Sequence, residues 1–385
     1  MLINQAVIVC GGLGTRLGNI TKKTPKPLLH INGKTILEHL IKNLSRFGFR
    51  EVLLLCYYKK NLFRNKFHNK TFYGIKIKCI MDKKLLGTSA SLLNAKKYLE
   101  KNFLFCNGDT FFDINIYDLI NSFSKKKLLA FVALKKIENK KKRYDGYNVN
   151  KKNFLRSDKK KYINSGVIIF SKKIIKFLKK KGSLEKDVYP TIINQNKMGG
   201  KTYKNDFIDM GTPKDLKRLP NFLKKIYFKP AVFLDRDGVI NKDIGYLYKI
   251  RDVIWRKNIN DFIKKYNDNN YYIVIITNQS GIGRGYYKEQ DVVKLHSWMK
   301  NKIRLSGGNI DKIYFAPYYK HSKFSKYRKK RNMRKPNIGM ILKAKRELNI
   351  NLKKSILIGD NKTDELCAIK AGIKYKILQF SSKLI

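Results

Sequence analysis

Both halves of this chain read as α/β folds, each built on an open parallel sheet. Two observations predict it. Short runs of apolar and β-branched residues alternate with helical stretches along the whole length. Each run then ends in a loop carrying Gly, Asp, Asn or Thr, which is where parallel sheets bind ligands, outside the carboxyl ends of their strands. The first-half runs are residues 6–10, 51–56, 103–106 and 167–170, and the second-half runs are 231–234, 272–276 and 355–358. A length of 385 residues favours two domains, each large enough for its own core. The boundary is expected between Pro220 and Pro230, where the basic segment NFLKKIYFK forms a short join between domains 1–225 and 229–385.

Composition narrows the class. No apolar run approaches the roughly 20 residues that span a bilayer, and MLINQAVIVCGG reads as a buried strand entering glycines, without the basic start of a signal peptide. The expectation is a cytoplasmic protein with no membrane insertion. Cys10, Cys56, Cys79, Cys106 and Cys367 show no CxxC spacing, so reduced buried thiols are expected. The formal charge of +57, from 85 Lys+Arg against 28 Asp+Glu, would by itself suggest a nucleic-acid partner. Its lysines are instead spread through both halves, in runs such as 140–143, 159–161, 179–181 and 329–331, with no nucleic-acid-binding motif beside them. They read as solvated surface whose field attracts phosphorylated small molecules and weakens with salt.

The first strand, 6–10, delivers Gly11, Gly12, Leu13, Gly14, Thr15, Arg16 and Leu17. Glycines there let backbone N–H groups approach a phosphate chain, and Arg16 can neutralise a leaving pyrophosphate. The loop is not a dinucleotide fingerprint, because Leu17 takes the third glycine position, and neither GKT in the chain has a Walker glycine. About ten residues on, Pro25 and Pro27 stiffen a segment that presents Lys26. GGLGTRL followed by PKP resembles the sugar-phosphate nucleotidylyltransferase family.

That resemblance runs through nearly the whole first half and implies a Rossmann-like nucleotidyltransferase domain. LGTSASL resembles the base-recognition loop, with Gly87 and Thr88 near the nucleotide, although Ser89, Ala90 and Ser91 depart from its usual pattern. Asp109 follows a buried strand in FCNGDTFFD and Asp209 lies in FIDMGTP, and together they would hold Mg²⁺. For the sugar, the resemblance suggests Asn164 and Gly166 in YINSGVIIF, and Glu185 in SLEKDVYP. RYDGYNV, NGDTFFDI and INSGVIIF look most like the branch that joins GTP to D-glycero-D-manno-heptose 1-phosphate. In-line attack by the sugar phosphate would be stabilised by Lys26 and Mg²⁺, with Arg16 on the pyrophosphate.

The second half opens with apolar residues 231–234 and then Asp235, Arg236, Asp237 and Gly238. Two carboxylates spaced i, i+2 at a strand end allow one to attack phosphorus while the other serves as acid and then base. Thr277 and Asn278 follow a β-rich run, Lys335 lies in RKP, and Asp360 and Asp364 follow another buried strand. This ordered set resembles the haloacid dehalogenase superfamily of phosphatases. The resemblance implies a Rossmannoid domain with Asp235 as nucleophile and Asp237 as general acid/base. Thr277, Asn278 and Lys335 would bind phosphate, with Mg²⁺ held by Asp235, Asp237 and Asp360.

DRDGVIN, TNQSGIGRG and RKPNIGM look most like D-glycero-D-manno-heptose 1,7-bisphosphate and histidinol-phosphate phosphatases, with Arg284 and Arg334 as further phosphate or sugar contacts. Those relatives often carry a Cys/His zinc loop before RKP, whereas residues 316–334 hold His321 and no cysteine, so no structural zinc is expected. The two resemblances fit one pathway: removal of the 7-phosphate yields the heptose 1-phosphate that the first site would activate. The expected partners are heptose phosphates and a nucleoside triphosphate, with no specific nucleic acid and the oligomeric state left open. The alternatives are a different sugar nucleotidyltransferase fused to another phosphatase, and an inactive basic scaffold on nucleic acid or an anionic surface.

Overall fold

A computed structural model describes residues 1–136, 146–157, 161–328 and 331–377, with only the backbone considered at Arg331. The chain divides into two compact units, Met1–Leu223 and Lys224–Ile385. The lysine run 140–143, residues 159–160 and 329–330 of two other runs, and residues 143–145 of RYDGYNV lie outside the described residues.

In the first unit, strands Gln5–Val9, Glu51–Cys56, Ile75–Met81 and Asn102–Asn107 are parallel neighbours. Alternation along Gln5–Val9 sends Ala6 and Ile8 into one core and Val7 into the other, so helices cover both faces. The sheet is not purely parallel. Tyr162–Ser171 runs antiparallel to both Asn102–Asn107 and Ala130–Lys136, and Gly146–Val149 pairs antiparallel with it in turn. The earlier strands are separated by helical crossovers, as parallel pairing requires.

The second unit has five parallel strands in the order Lys312–Ala316, Tyr272–Asn278, Ala231–Leu234, Ile356–Gly359, Lys374–Ile377. Its first strand in sequence is therefore central in space. Val232 and Leu234 face helices Ile259–Asp268 and Glu289–Leu305, while Ala231 and Phe233 face Gly339–Leu348 and Lys362–Ala371. Such a strand aims Asp235 out of the carboxyl edge at the point where the strand order reverses, the usual ligand crevice of an open α/β sheet.

The expected short join is instead part of a helix, Pro213–Tyr227, with Pro220 inside it. Leu219, Leu223 and Ile226 are buried at near-heptad spacing, so an apolar stripe outweighs the basic composition that suggested a linker. All five cysteines are buried and free. Among the described residues no helix is long and apolar enough to cross a membrane.

Candidate active sites

The first site forms at the carboxyl ends of Gln5–Val9 and Asn102–Asn107. A cavity of about 260 Å³ is lined by Gly12, Gly14, Thr15, Arg16, Lys26 and Asp109, and also by Thr88 and Glu185. Pro25 leads into a turn at Lys26–Leu28 that holds the Lys26 stem inside the unit. Its Nζ lies 2.7 Å from Asp109 Oδ2, with side chains 6% and 30% exposed. Asp109 is thus buried on one side and open to the cavity on the other.

Asp209 is brought alongside by strand pairing. Thr110–Phe112 runs antiparallel to Phe207–Asp209, with Asp209 opposite Thr110, and the Met210 N–H donates to the Asp109 carbonyl at 3.0 Å. A Cβ built on Gly211 would meet Arg16 Nη1 at 2.8 Å and Asp209 Oδ2 at 3.4 Å, so the guanidinium and the second carboxylate flank one glycine. Asp109, Arg16 and Lys26 line the cavity, while Asp209 lies beside Arg16 outside its lining.

Other expected residues divide. Glu185 lines the cavity, with Ser183 Oγ donating to it at 2.8 Å and Thr88 Oγ1 at 3.4 Å. Gly11 and Gly87 do not line it. Gly11 packs against Tyr57, and Gly87, at φ 92°, sits so close to Gly182 that a Cβ would fall 2.2 Å from its carbonyl oxygen. Gly87 therefore serves the close packing that places Thr88 in the cavity. Asn164 Oδ1 accepts from the Gly166 N–H at 2.8 Å, and Gly166, at φ 73°, abuts Asn107 on the cavity wall.

The second site buries its charged side chains more deeply. A cavity of about 360 Å³ contains Asp235, Asp237, Thr277, Asn278, Gln279 and Lys335. Lys335 Nζ lies 2.7 Å from Asp235 Oδ2 and 2.5 Å from Asp364 Oδ1, and the three side chains are 1%, 9% and 0% exposed. Burial, followed by the Asp364 charge working against Lys335, pushes the Asp235 pKa up to about 7. Burial also opposes the Lys335 ammonium, yet Asp235 and Asp364 together hold its pKa above the ordinary lysine value.

Asp235, Asp360 and Asp364 offer carboxylate oxygens within 4.8 Å of one another. Such an all-oxygen acidic set suits a hard divalent cation. Asp360 reaches it because residue 238 is glycine, since a Cβ there would fall 1.6 Å from Asp360 Oδ2. Burial, then the Asp364 charge, raises the Asp360 pKa as well.

The carboxylate of Asp237, expected in the metal set, points elsewhere. It accepts from Arg236 Nε at 3.0 Å and Nη2 at 2.8 Å, from Asn241 Nδ2 at 2.9 Å and from Gln279 Nε2 at 2.9 Å. The fully buried Arg236 guanidinium draws it away from the cluster. His296 beside that arginine is held neutral, its pKa lowered to about 3 by burial and then by Arg236. Asp364, which follows the same strand as Asp360, supplies the third carboxylate. Its signal was the i, i+4 spacing from Asp360 across a helix start.

Asn278 clamps the lysine backbone: Nδ2 donates to the Lys335 carbonyl at 3.1 Å, and the Lys335 N–H donates to Oδ1 at 3.0 Å. From the cavity lining its side chain thus holds Lys335 in place. A neighbouring cavity of about 480 Å³ shares Lys335 and adds Arg284, Arg334 and Arg328, with no carboxylate among the described residues of its lining. Arg284 stacks on Tyr319 at 3.8 Å, and Arg334 Nη1 donates to the Tyr318 carbonyl at 3.3 Å. Burial, then Arg284, lowers the Arg334 pKa. The loop that carries Tyr319 is tied by bonds of its own, from Tyr319 N–H to the Tyr327 carbonyl at 3.0 Å and from Arg328 Nε to the Ser322 carbonyl at 2.6 Å.

Comparison with known proteins follows this division. Residues 5–226 match the family model of nucleotidyl transferases, and residues 245–376 match that of the polynucleotide kinase 3 phosphatases. The second unit is 40% identical over 158 residues to the D-glycero-beta-D-manno-heptose-1,7-bisphosphate 7-phosphatase of Haemophilus ducreyi, covering 41% of this chain and 86% of that protein. It is 43% identical over 148 residues to the corresponding alpha-anomer phosphatase of Campylobacter jejuni, covering 38% of this chain and 81% of that protein. The first unit resembles the crystal structure of HddC from Yersinia pseudotuberculosis complexed with GMP-PN, at 28% identity and a TM-score of 0.50, covering 57% of this chain and 99% of that one. The inositol-1-phosphate CTP transferase of T. maritima, at 19% identity and a TM-score of 0.51, shares the fold. The chain belongs to the nucleotidyl transferase family through its first unit and to the haloacid dehalogenase-like heptose-bisphosphate phosphatases through its second, a transferase and a phosphomonoester hydrolase in one polypeptide.

Proposed function

We propose that the chain makes a nucleotide-activated heptose in two steps. The second unit removes the 7-phosphate of D-glycero-D-manno-heptose 1,7-bisphosphate, and the first transfers GMP from GTP to the resulting heptose 1-phosphate, releasing pyrophosphate. The observation that carries this reading is the shared wall at Lys335. On one side lies the nucleophile, and on the other an arginine pair without a counter-ion among the described residues of the cavity lining, an arrangement suited to a substrate with two phosphates. The similarity of the first unit to the GMP-PN-bound protein supports GTP as donor.

In the phosphatase, Asp235 attacks phosphorus and forms an aspartyl phosphate as the sugar oxygen leaves with a proton from Asp237. Asp237 then takes a proton from water, which attacks the aspartyl phosphate and releases orthophosphate. Thr277 and Lys335 hold the phosphoryl oxygens. Asp235, Asp360 and Asp364 would hold Mg²⁺, which supplies charge neutralisation between the carboxylates and the incoming dianion. In the transferase, the sugar 1-phosphate oxygen attacks the α-phosphorus of GTP in line with departing pyrophosphate. Lys26 stabilises the charge at the transferring group, Arg16 holds the pyrophosphate, and Asp109 and Asp209 would hold the second Mg²⁺.

The test is one incubation of purified chain with heptose 1,7-bisphosphate of either anomer, GTP and Mg²⁺. GDP-heptose, one orthophosphate and one pyrophosphate are expected. Asp235→Asn should stop orthophosphate release while leaving transfer to supplied heptose 1-phosphate, and Asp109→Ala should do the reverse. Turnover of a 3′-phosphorylated oligonucleotide in preference to the sugar bisphosphate would overturn the substrate assignment.

A further inference from the structure

We infer that Gln279 is a positioning residue of the phosphatase, whose carboxamide directs the one proton of the Thr277 hydroxyl toward the incoming phosphoryl group. The inference rests on reading the second unit as an aspartyl-phosphate phosphatase. Gln279 stands just past strand Tyr272–Asn278 and is 2% exposed. Its N–H donates to the Ala316 carbonyl at 2.8 Å, which fixes its backbone to the neighbouring strand.

Three polar partners surround its carboxamide. Asp237 Oδ2 and Thr277 Oγ1 lie 2.9 Å and 3.0 Å from Nε2, and the Tyr287 hydroxyl lies 2.9 Å from Oε1. Chemistry decides the amide's orientation. Ionised Asp237, paired through both oxygens with Arg236, offers acceptors alone, so in that state the group facing it must be the NH₂. Tyr287 then donates to Oε1. Its ring is clamped, stacked on Tyr248 at 4.9 Å and packed among Ile282, Val292 and Tyr327, so the amide cannot readily turn over.

One N–H of the amide therefore falls on Asp237 and the other on Thr277 Oγ1. A hydroxyl that accepts on that side has a single proton left to donate elsewhere, and Thr277 lines the cavity that contains Asp235 and Lys335. A donor already aligned needs no reorganisation as charge develops on the phosphoryl oxygens. Through its two N–H groups Gln279 also sets the acid/base and the phosphate-binding hydroxyl in register.

Gln279→Glu keeps the shape but replaces the donor by an acceptor that would take the Thr277 proton for itself. In the full chain, phosphate release from the sugar bisphosphate or from p-nitrophenyl phosphate should fall roughly 100-fold in kcat. The inhibition constant of inorganic phosphate should rise in parallel. Tyr287→Phe, which removes only the lock, should lower kcat about 5-fold, and it guards against a Gln279→Glu chain that does not fold. In a Thr277→Val background there is no proton to direct, so adding Gln279→Glu should change phosphate affinity little. Additive effects of those two substitutions on phosphate affinity, or phosphate affinity unchanged in Gln279→Glu, would overturn the inference. Should the unaltered chain turn over no phosphomonoester, the functional reading fails, and calorimetric titration with inorganic phosphate still decides the role of Gln279.

Discussion

Each unit places a lysine–aspartate pair beside its phosphate cavity, and the two pairs differ in how much water reaches them. Lys26 is buried, but its partner Asp109 keeps 30% of its side chain exposed. In the second unit Lys335, Asp235 and Asp364 are all nearly inaccessible, and one ammonium faces two carboxylates with Asp360 close by. The open pair suits a site that must admit a nucleoside triphosphate and a sugar phosphate together. The closed cluster has more carboxylates than ammonium groups in a poorly solvated place, which is why Asp235 is pushed up to about 7 and why the set suits a divalent cation.

Removing each lysine breaks this comparison most directly. Lys335→Met leaves two buried carboxylates uncompensated. Phosphate release should fall at least ~10³-fold, and the unfolding free energy of the second unit should drop by about 3–5 kcal/mol, read by denaturant titration. Lys26→Met should lower nucleotidyl transfer about 100-fold, but with a stability loss below about 1 kcal/mol, because Asp109 can rehydrate. Equal stability losses in the two variants would show that burial does not separate the sites.

A pH series sharpens the same contrast. With its pKa near 7 in the metal-free site, Asp235 carries a proton below that pH which a cation must displace. The apparent Mg²⁺ affinity of phosphate release should rise by up to about tenfold per pH unit approaching 7 from below, then level off. An affinity independent of pH between about 5 and 7 would contradict the excess-charge account. The smallest effect is expected from Asn278→Ala, which removes two hydrogen bonds to the Lys335 backbone and leaves the charges in place. About a tenfold loss in kcat/KM, without change in Mg²⁺ dependence, would mark Asn278 as a clamp.

Much of this was legible in the residues. Alternating apolar runs located the strands around Ala6, Val52, Leu104, Val232 and Ile273, because a strand buried on both faces has few other ways to be written. GGLGTRL with PKP, and the DRDG, TNQ and RKP set, marked side chains that meet in two cavities. Other features were not legible, since they depend on partners remote in sequence. Asp364 becomes a member of the acidic cluster only because Gly359 lets it approach the strand end, where a Cβ would fall 2.2 Å from Asp364 Cβ. The Asp237 carboxylate lies apart from the acidic cluster because the buried arginine next to it pairs with both of its oxygens. Gln279 read as an ordinary polar residue after a strand until Tyr287 and Asp237 defined which way its amide points.

The sequence by itself determined two α/β units, the order of their motifs and the chemistry those motifs could perform, because backbone periodicity and residue type are local properties. The tertiary structure decided which carboxylates gather within reach of one another, which one is turned away to an arginine, and which hydroxyl faces the Gln279 amide. Those outcomes depend on burial and on the direction of hydrogen bonds between residues such as Asp237, Gln279 and Tyr287, and neither exists until strands distant along the chain lie side by side.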